Sequence, residues 1–112
     1  MPHLVVEYFA PEGLDGPAVL SDLLDTAVAT GIMQRADVKA RLLPSEAILL
    51  GDGRGSFIHV TVSMLAGRTP EAKLGLSVAL TGKLREVCPD IEAISADIRD
   101  MDPDCYKKSL KA

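Results

Sequence analysis

The chain has 112 residues, a net charge of −4 and 47% hydrophobic residues, with two Tyr, two Phe and no Trp. That length predicts one domain over 1–112 with a modest aliphatic core, small enough for association to help bury more apolar surface. The acidic balance and the scarcity of aromatic stacking surfaces argue against nucleic acid as a partner. There is no basic segment leading into an apolar stretch and no run of about 18 apolar residues, so the expectation is a soluble, cytoplasmic protein with no membrane partner. Cys88 and Cys105 have no metal-like spacing and read as reduced thiols.

Pro2 follows Met1 and precedes the apolar run Leu4-Val5-Val6. If Met1 is removed, as is usual before so small a residue, the chain begins with a secondary amine. Apolar neighbours and nearby cations both disfavour an ammonium, so a buried N-terminal proline can act as a neutral general base. Taken alone, Pro2 can equally be no more than the start of a strand.

Leu4 to Phe9 is rich in β-branched and aromatic residues and predicts a buried strand that exits at Ala10-Pro11-Glu12-Gly13. Pro17 opens a helix, in which Leu20, Leu23, Leu24, Ala27 and Val28 recur at steps of three and four. Gly31 sits where a helix C-terminal glycine belongs. From Asp37 the pattern changes to period two, with Val38, Ala40 and Leu42 on one face and Lys39, Arg41 and Leu43 on the other. Ala47-Ile48-Leu49-Leu50 and the alternating stretch Phe57–Leu65 flank Gly51-Asp52-Gly53-Arg54-Gly55, which suggests a hairpin or a longer reversal. No Lys-Ser/Thr pair and no helix follow those glycines, so a phosphate loop is disfavoured.

Thr69-Pro70-Glu71 supplies an N-cap, a first-turn proline and a first-turn acid, and Leu76, Leu80, Leu84 and Val87 mark the helix that follows. Ile94, Ala96 and Ile98 then alternate with Ser95, Asp97 and Arg99 in a last strand, before a short polar tail. The order is one unit used twice, in halves of about 2–50 and 56–101. It predicts an α/β (α+β) tandem β-α-β repeat: a four-stranded sheet with two helices on one face. Residues around Ile58, Val60 and Ile98 are expected on the other face, too apolar for water and so covered by further copies of the chain. A ferredoxin-like fold shows the same element order with a different sheet order, and periodicity does not separate the two.

The start Met1-Pro2-His3-Leu4-Val5-Val6-Glu7, with proline at the amino end of a strand, resembles the tautomerase superfamily, and within it the 5-carboxymethyl-2-hydroxymuconate isomerases. Supporting segments are Ala29-Thr30-Gly31-Ile32, Phe57-Ile58-His59-Val60-Thr61 leading to Ala66-Gly67-Arg68-Thr69, and Ile94-Ser95-Ala96-Asp97-Ile98 followed by Asp102-Pro103. The likeness runs from Pro2 to about Pro103. It implies a tautomerase-like trimer with active sites near subunit boundaries, no cofactor, and Pro2 as catalytic base.

Such an isomerase moves a proton and a double bond along an unsaturated 2-hydroxy or 2-oxo carboxylate, so one group can serve first as base and then as acid. The substrate and its dienolate are anions and call for fixed cations. Arg68 lies in a strand-to-helix turn, and the family's Gly-Arg-Ser/Thr pattern there implies a carboxylate-binding role. Lys39 stands where the family shows an arginine and keeps the charge without the bidentate fork; Arg41, on the same strand face, can supply that fork. The loop Ala10–Gly16 of the first half has no arginine, which leaves Arg68 alone in its role. His3 and His59 lack partners of metal-like spacing, so no metal site is expected. The small-molecule substrate expected first is 5-carboxymethyl-2-hydroxymuconate, in aromatic catabolism. The alternatives are a keto-enol tautomerase of a phenylpyruvate-like acid and a non-catalytic ferredoxin-like ligand-binding module.

Overall fold

A computed structural model describes residues 1–112. In chain order the elements are β1 (His3–Phe9), α1 (Gly16–Ala29), a short 3-10 turn (Arg35–Asp37), β2 (Lys39–Pro44), β3 (Phe57–Leu65), α2 (Pro70–Val87) and β4 (Ala93–Met101). Both helices begin as their sequences dictate. The Asp15 carboxylate accepts from the Ala18 N–H ahead of α1, and the Thr69 hydroxyl accepts from the Ala72 N–H ahead of α2, each with proline in the first turn. Gly31 ends α1 at φ +81°, in the left-handed region that a side chain resists.

The sheet order is β2-β1-β3-β4. β1 runs parallel to β2 and β3 parallel to β4, while the central pair β1 and β3 is antiparallel. Each helix therefore joins two neighbouring strands, which is the tandem β-α-β arrangement. A ferredoxin-like split unit would leave another strand between them, so that alternative is excluded. Of the two expectations for the glycine-rich segment, the tight hairpin does not form and the longer reversal does: β2 and β3 run in opposite directions on either side of β1, and the segment between them, including Ala47–Leu50, contains no strand.

The core lies between the sheet and the helices. Leu4 and Val6 of β1 and Ile58, Val60, Val62 and Met64 of β3 are fully buried. Leu23 and Ala27 of α1 and Leu76, Leu80 and Leu84 of α2 close over them, as the helical stripes predicted. Each such aliphatic side chain contributes about 1.5–3 kcal/mol on leaving water. One expectation is corrected here. Ile58, Val60 and Ile98 do not face away from the helices; they pack in or against this core. The face without helices carries Glu7, His59, Thr61, Ser63, Asp97 and Arg99 instead, because strand alternation sends the more apolar set of each strand beneath the helices. No helix is long and apolar enough to cross a membrane.

Candidate active site

Pro2 is buried at the amino end of β1, and its carbonyl accepts from the Lys39 N–H at 2.9 Å, which fixes the first turn of chain against β2. A cavity of about 340 Å³ opens beside it, lined by Met1, Pro2, the Gly31–Gln34 segment after α1, Asp37, the end of β3 at Met64 and Leu65, and Arg68. Ile32, Met33, Met64 and Leu65 supply its apolar side chains, beside the polar Gln34, Asp37 and Arg68. Pro2 and Arg68, far apart in sequence, meet here because antiparallel β1 and β3 bring the start of one strand to the end of the other, with His3 opposite Ser63.

Arg68 is held rigidly. Its Nη1 donates to the Leu65 carbonyl at 2.8 Å and its Nη2 to the Ile32 carbonyl at 3.0 Å. These two bonds tie the guanidinium to the end of β3 and to the segment following α1. A guanidinium has five N–H donors, so others remain for an anion, and no carboxylate pairs with it. Gly67 (φ +131°) makes the sharp exit from β3 that aims Arg68 back toward Pro2.

Lys39 and Arg41 are not in this cavity. Both are exposed on the sheet face without helices, together with His3. Arg41 Nη1 lies 3.2 Å from His3 Nδ1, and His3 Nε2 lies 3.1 Å from the Tyr106 hydroxyl, with the two rings edge to face. A guanidinium only donates, so Nδ1 accepts and the imidazole is neutral with its proton on Nε2. Partial burial, then the positive charges of Arg41, the chain amino terminus and Lys39, push the His3 pKa below its ordinary value, in agreement with that tautomer. Within one chain, therefore, Arg68 is brought to Pro2, and the Lys39 and Arg41 cations are on the other side of the sheet.

Sequence reasoning missed Asp37 and Gln34 on the cavity wall and Tyr106 against His3. Gly31 was the available signal for the first two, since a left-handed glycine after α1 turns the chain back over the start of β1. Nothing local marks Tyr106. No three His, Cys, Asp or Glu side chains converge in a way that would hold a metal ion.

No family model matches the chain, and no curated protein matches it in sequence. Solved structures match over nearly its whole length. A 5-carboxymethyl-2-hydroxymuconate isomerase from Deinococcus radiodurans R1 is 25% identical with a TM-score of 0.78, covering 98% of this chain and 90% of that one. A fused 4-OT forming a symmetric trimer is 25% identical with a TM-score of 0.76, covering 89% and 85%. A protein crystallised after inactivation by 2-oxo-3-pentynoate is 19% identical with a TM-score of 0.81, covering 96% and 91%. The chain has the fold of the tautomerase superfamily. Within that class its structural neighbours include the 5-carboxymethyl-2-hydroxymuconate isomerases, the group its N-terminal and Gly67-Arg68-Thr69 segments resemble.

Proposed function

We propose that the protein is a cofactor-independent isomerase or tautomerase acting on an unsaturated 2-hydroxy or 2-oxo carboxylate, with 5-carboxymethyl-2-hydroxymuconate as the substrate to test first. The observation that carries this reading is the meeting of Pro2 and an unpaired, doubly anchored Arg68 in one cavity. Removal of Met1 is part of the proposal, because an acylated Pro2 nitrogen has no basic lone pair. The freed amine takes a proton from one carbon of the dienol system and returns it at another. Arg68 holds a substrate carboxylate and offsets the negative charge that develops in the dienolate.

The protein is proposed to work as a homotrimer, as a fused 4-OT neighbour forms a symmetric trimer. Two surfaces favour association. β2 is an edge strand, and in the segment after it Leu49 is 95% exposed. Lys39 and Arg41, exposed beside His3 and outside the cavity of their own chain, are cations that an adjoining copy can use. A phenylpyruvate-like monocarboxylate is the second reading, favoured by a cavity lined by one cation, Arg68, together with the Asp37 carboxylate.

Intact mass separates processed protein from protein that retains Met1, and ultraviolet assays then compare the two. Turnover of the hydroxymuconate or of phenylpyruvate should appear only in the processed form and should identify the preferred acid. Equal activity in both forms would remove Pro2 as the base.

A further inference from the structure

The two β-α-β halves run in opposite directions about the centre of the β1–β3 ladder, near Val6 and Val60, so the Pro2 cavity has a counterpart at the other end of the sheet. There an open groove of about 580 Å³ lies between the start of β3, the loop into α1 and the end of α2. Ser56 takes the place of Pro2 ahead of its strand, and Leu14, after the left-handed Gly13, takes the place of Arg68 after the left-handed Gly67. The charge is inverted as well. Glu12, Asp15, Asp22, Asp90 and Glu92 line the groove, no Lys or Arg does, and none of the five is in an ion pair. Asp15 caps α1 and Glu92 accepts from the Gly55 N–H, leaving Glu12, Asp22 and Asp90 without any hydrogen bond from the protein to their carboxylates. Beneath them Leu14, Val19, Val87 and Ile91 form an apolar floor.

The complementary surface is on the same chain. After β4, the segment Tyr106–Ala112 forms no helix or strand. It carries Lys107, Lys108 and Lys111, none of them in an ion pair, around Leu110, which is 65% exposed. We propose that the groove binds the Lys107–Ala112 segment of a second copy of this chain, with Leu110 entering the apolar floor and the lysines meeting the carboxylate rim.

Geometry excludes the chain's own segment. β4 runs away from the groove, from Ala93 to Met101, a distance of about 27 Å over the steps between them. Tyr106 is then held against His3 at the Pro2 end. The chain from Tyr106 to Leu110 spans at most about 14 Å, so Leu110 falls well short of Leu14 in its own copy. Contacts of this kind between exposed charges are salt-sensitive. They use neither Pro2 nor Arg68, so the interaction stands or falls independently of the catalytic reading.

An equal mixture of 15N-labelled and unlabelled full-length protein, treated with a carbodiimide and mapped by mass spectrometry, tests which copy supplies the segment. Mixed-isotope links from Lys107, Lys108 or Lys111 to Glu12, Asp22 or Asp90 are expected. Links within one isotope only, or none, would overturn the proposal. A fluorescent peptide of residues 104–112, titrated into the full-length chain, tests the chemistry. Its affinity should fall at least tenfold in the E12K/D22K/D90K variant, which spares the capping Asp15 and the loop-bonded Glu92. A peptide carrying K107E/K108E/K111E should regain affinity for that variant, a rescue that a misfolded groove does not give. Failure of the rescue, or equal binding by a peptide with Leu110→Asp, would also overturn it.

Discussion

The Pro2 cavity and the Ser56 groove are assembled from equivalent parts: the residue that opens one central strand, the chain at the exit of the other, and the segment that follows a helix. They differ in what the parts carry. One presents proline and arginine; the other presents serine and leucine within a ring of carboxylates. The nitrogen of Ser56 is necessarily an amide, whereas that of Pro2 becomes an amine once Met1 is gone. On the proposed reading, the repeated unit offers two shaped pockets but only one nitrogen able to serve as a base, and the two pockets carry opposite charge.

The largest expected effect is at that base. Pro2→Ala in the processed protein should lower turnover by about 10²–10⁴-fold, the usual contribution of a positioned general acid-base, while light scattering shows unchanged assembly. Arg68→Ala comes next. It removes charge-assisted hydrogen bonds of about 1.5–3 kcal/mol, so kcat/KM for carboxylate substrates should fall by roughly ten- to a hundredfold, with little change for a decarboxylated analogue. Equal losses on both substrates would mean that Arg68 braces the Ile32 and Leu65 carbonyls without binding the acid. The reverse graft, Leu14→Arg, should create no second activity, because its cavity still has no amine.

The paired glycines sharpen the comparison further. Gly13 (φ +91°) and Gly67 (φ +131°) both adopt backbone that a side chain resists, with no neighbouring atom close enough to obstruct a Cβ. Alanine at either should cost roughly 1–2 kcal/mol of stability through the backbone alone, read from denaturant midpoints. Only Gly67→Ala should also reduce kcat/KM, since it re-aims Arg68.

Much of this architecture is written locally. Pro17 and Thr69-Pro70 mark both helix starts, and the Leu76, Leu80 and Leu84 stripe gives the buried face of α2 directly. Other features depend on long-range pairing. The alternation in β3 separates Ile58, Val60 and Val62 from His59, Thr61 and Ser63, but it does not say which set the helices cover; only the greater apolarity of the first set does, and that signal was misassigned. Ala47-Ile48-Leu49-Leu50 has strand-like composition without a strand to pair with in its own chain. The meeting of Pro2 with Arg68 follows from sheet order, as does the separation of Lys39 and Arg41 from both, because a residue's face is local whereas its neighbours across the sheet are not.

The smallest effects separate the two ends by pH. His3, beside the Pro2 end, has a lowered pKa, caused first by partial burial and then by Arg41, the amino terminus and Lys39. Protonation is thus harder in the folded than in the unfolded chain, and the associated stability is present above the unfolded value of about 6.5 and lost as pH falls through the folded one. Cys88, in the Ser56 groove, is raised, first by burial and then by the Asp22 carboxylate, against a smaller lowering by Arg85. Its folded form holds the proton more tightly, so that contribution is present below the unfolded value of about 8.5 and is lost as pH rises through the folded one. His3→Gln should flatten the acidic limb of a stability-pH curve and leave the alkaline limb alone; Cys88→Ala should do the opposite. Urea midpoints measured across both limbs would show it, and a single substitution that flattened both would mean that the two ends are electrostatically coupled through the sheet, not independent as their separation implies.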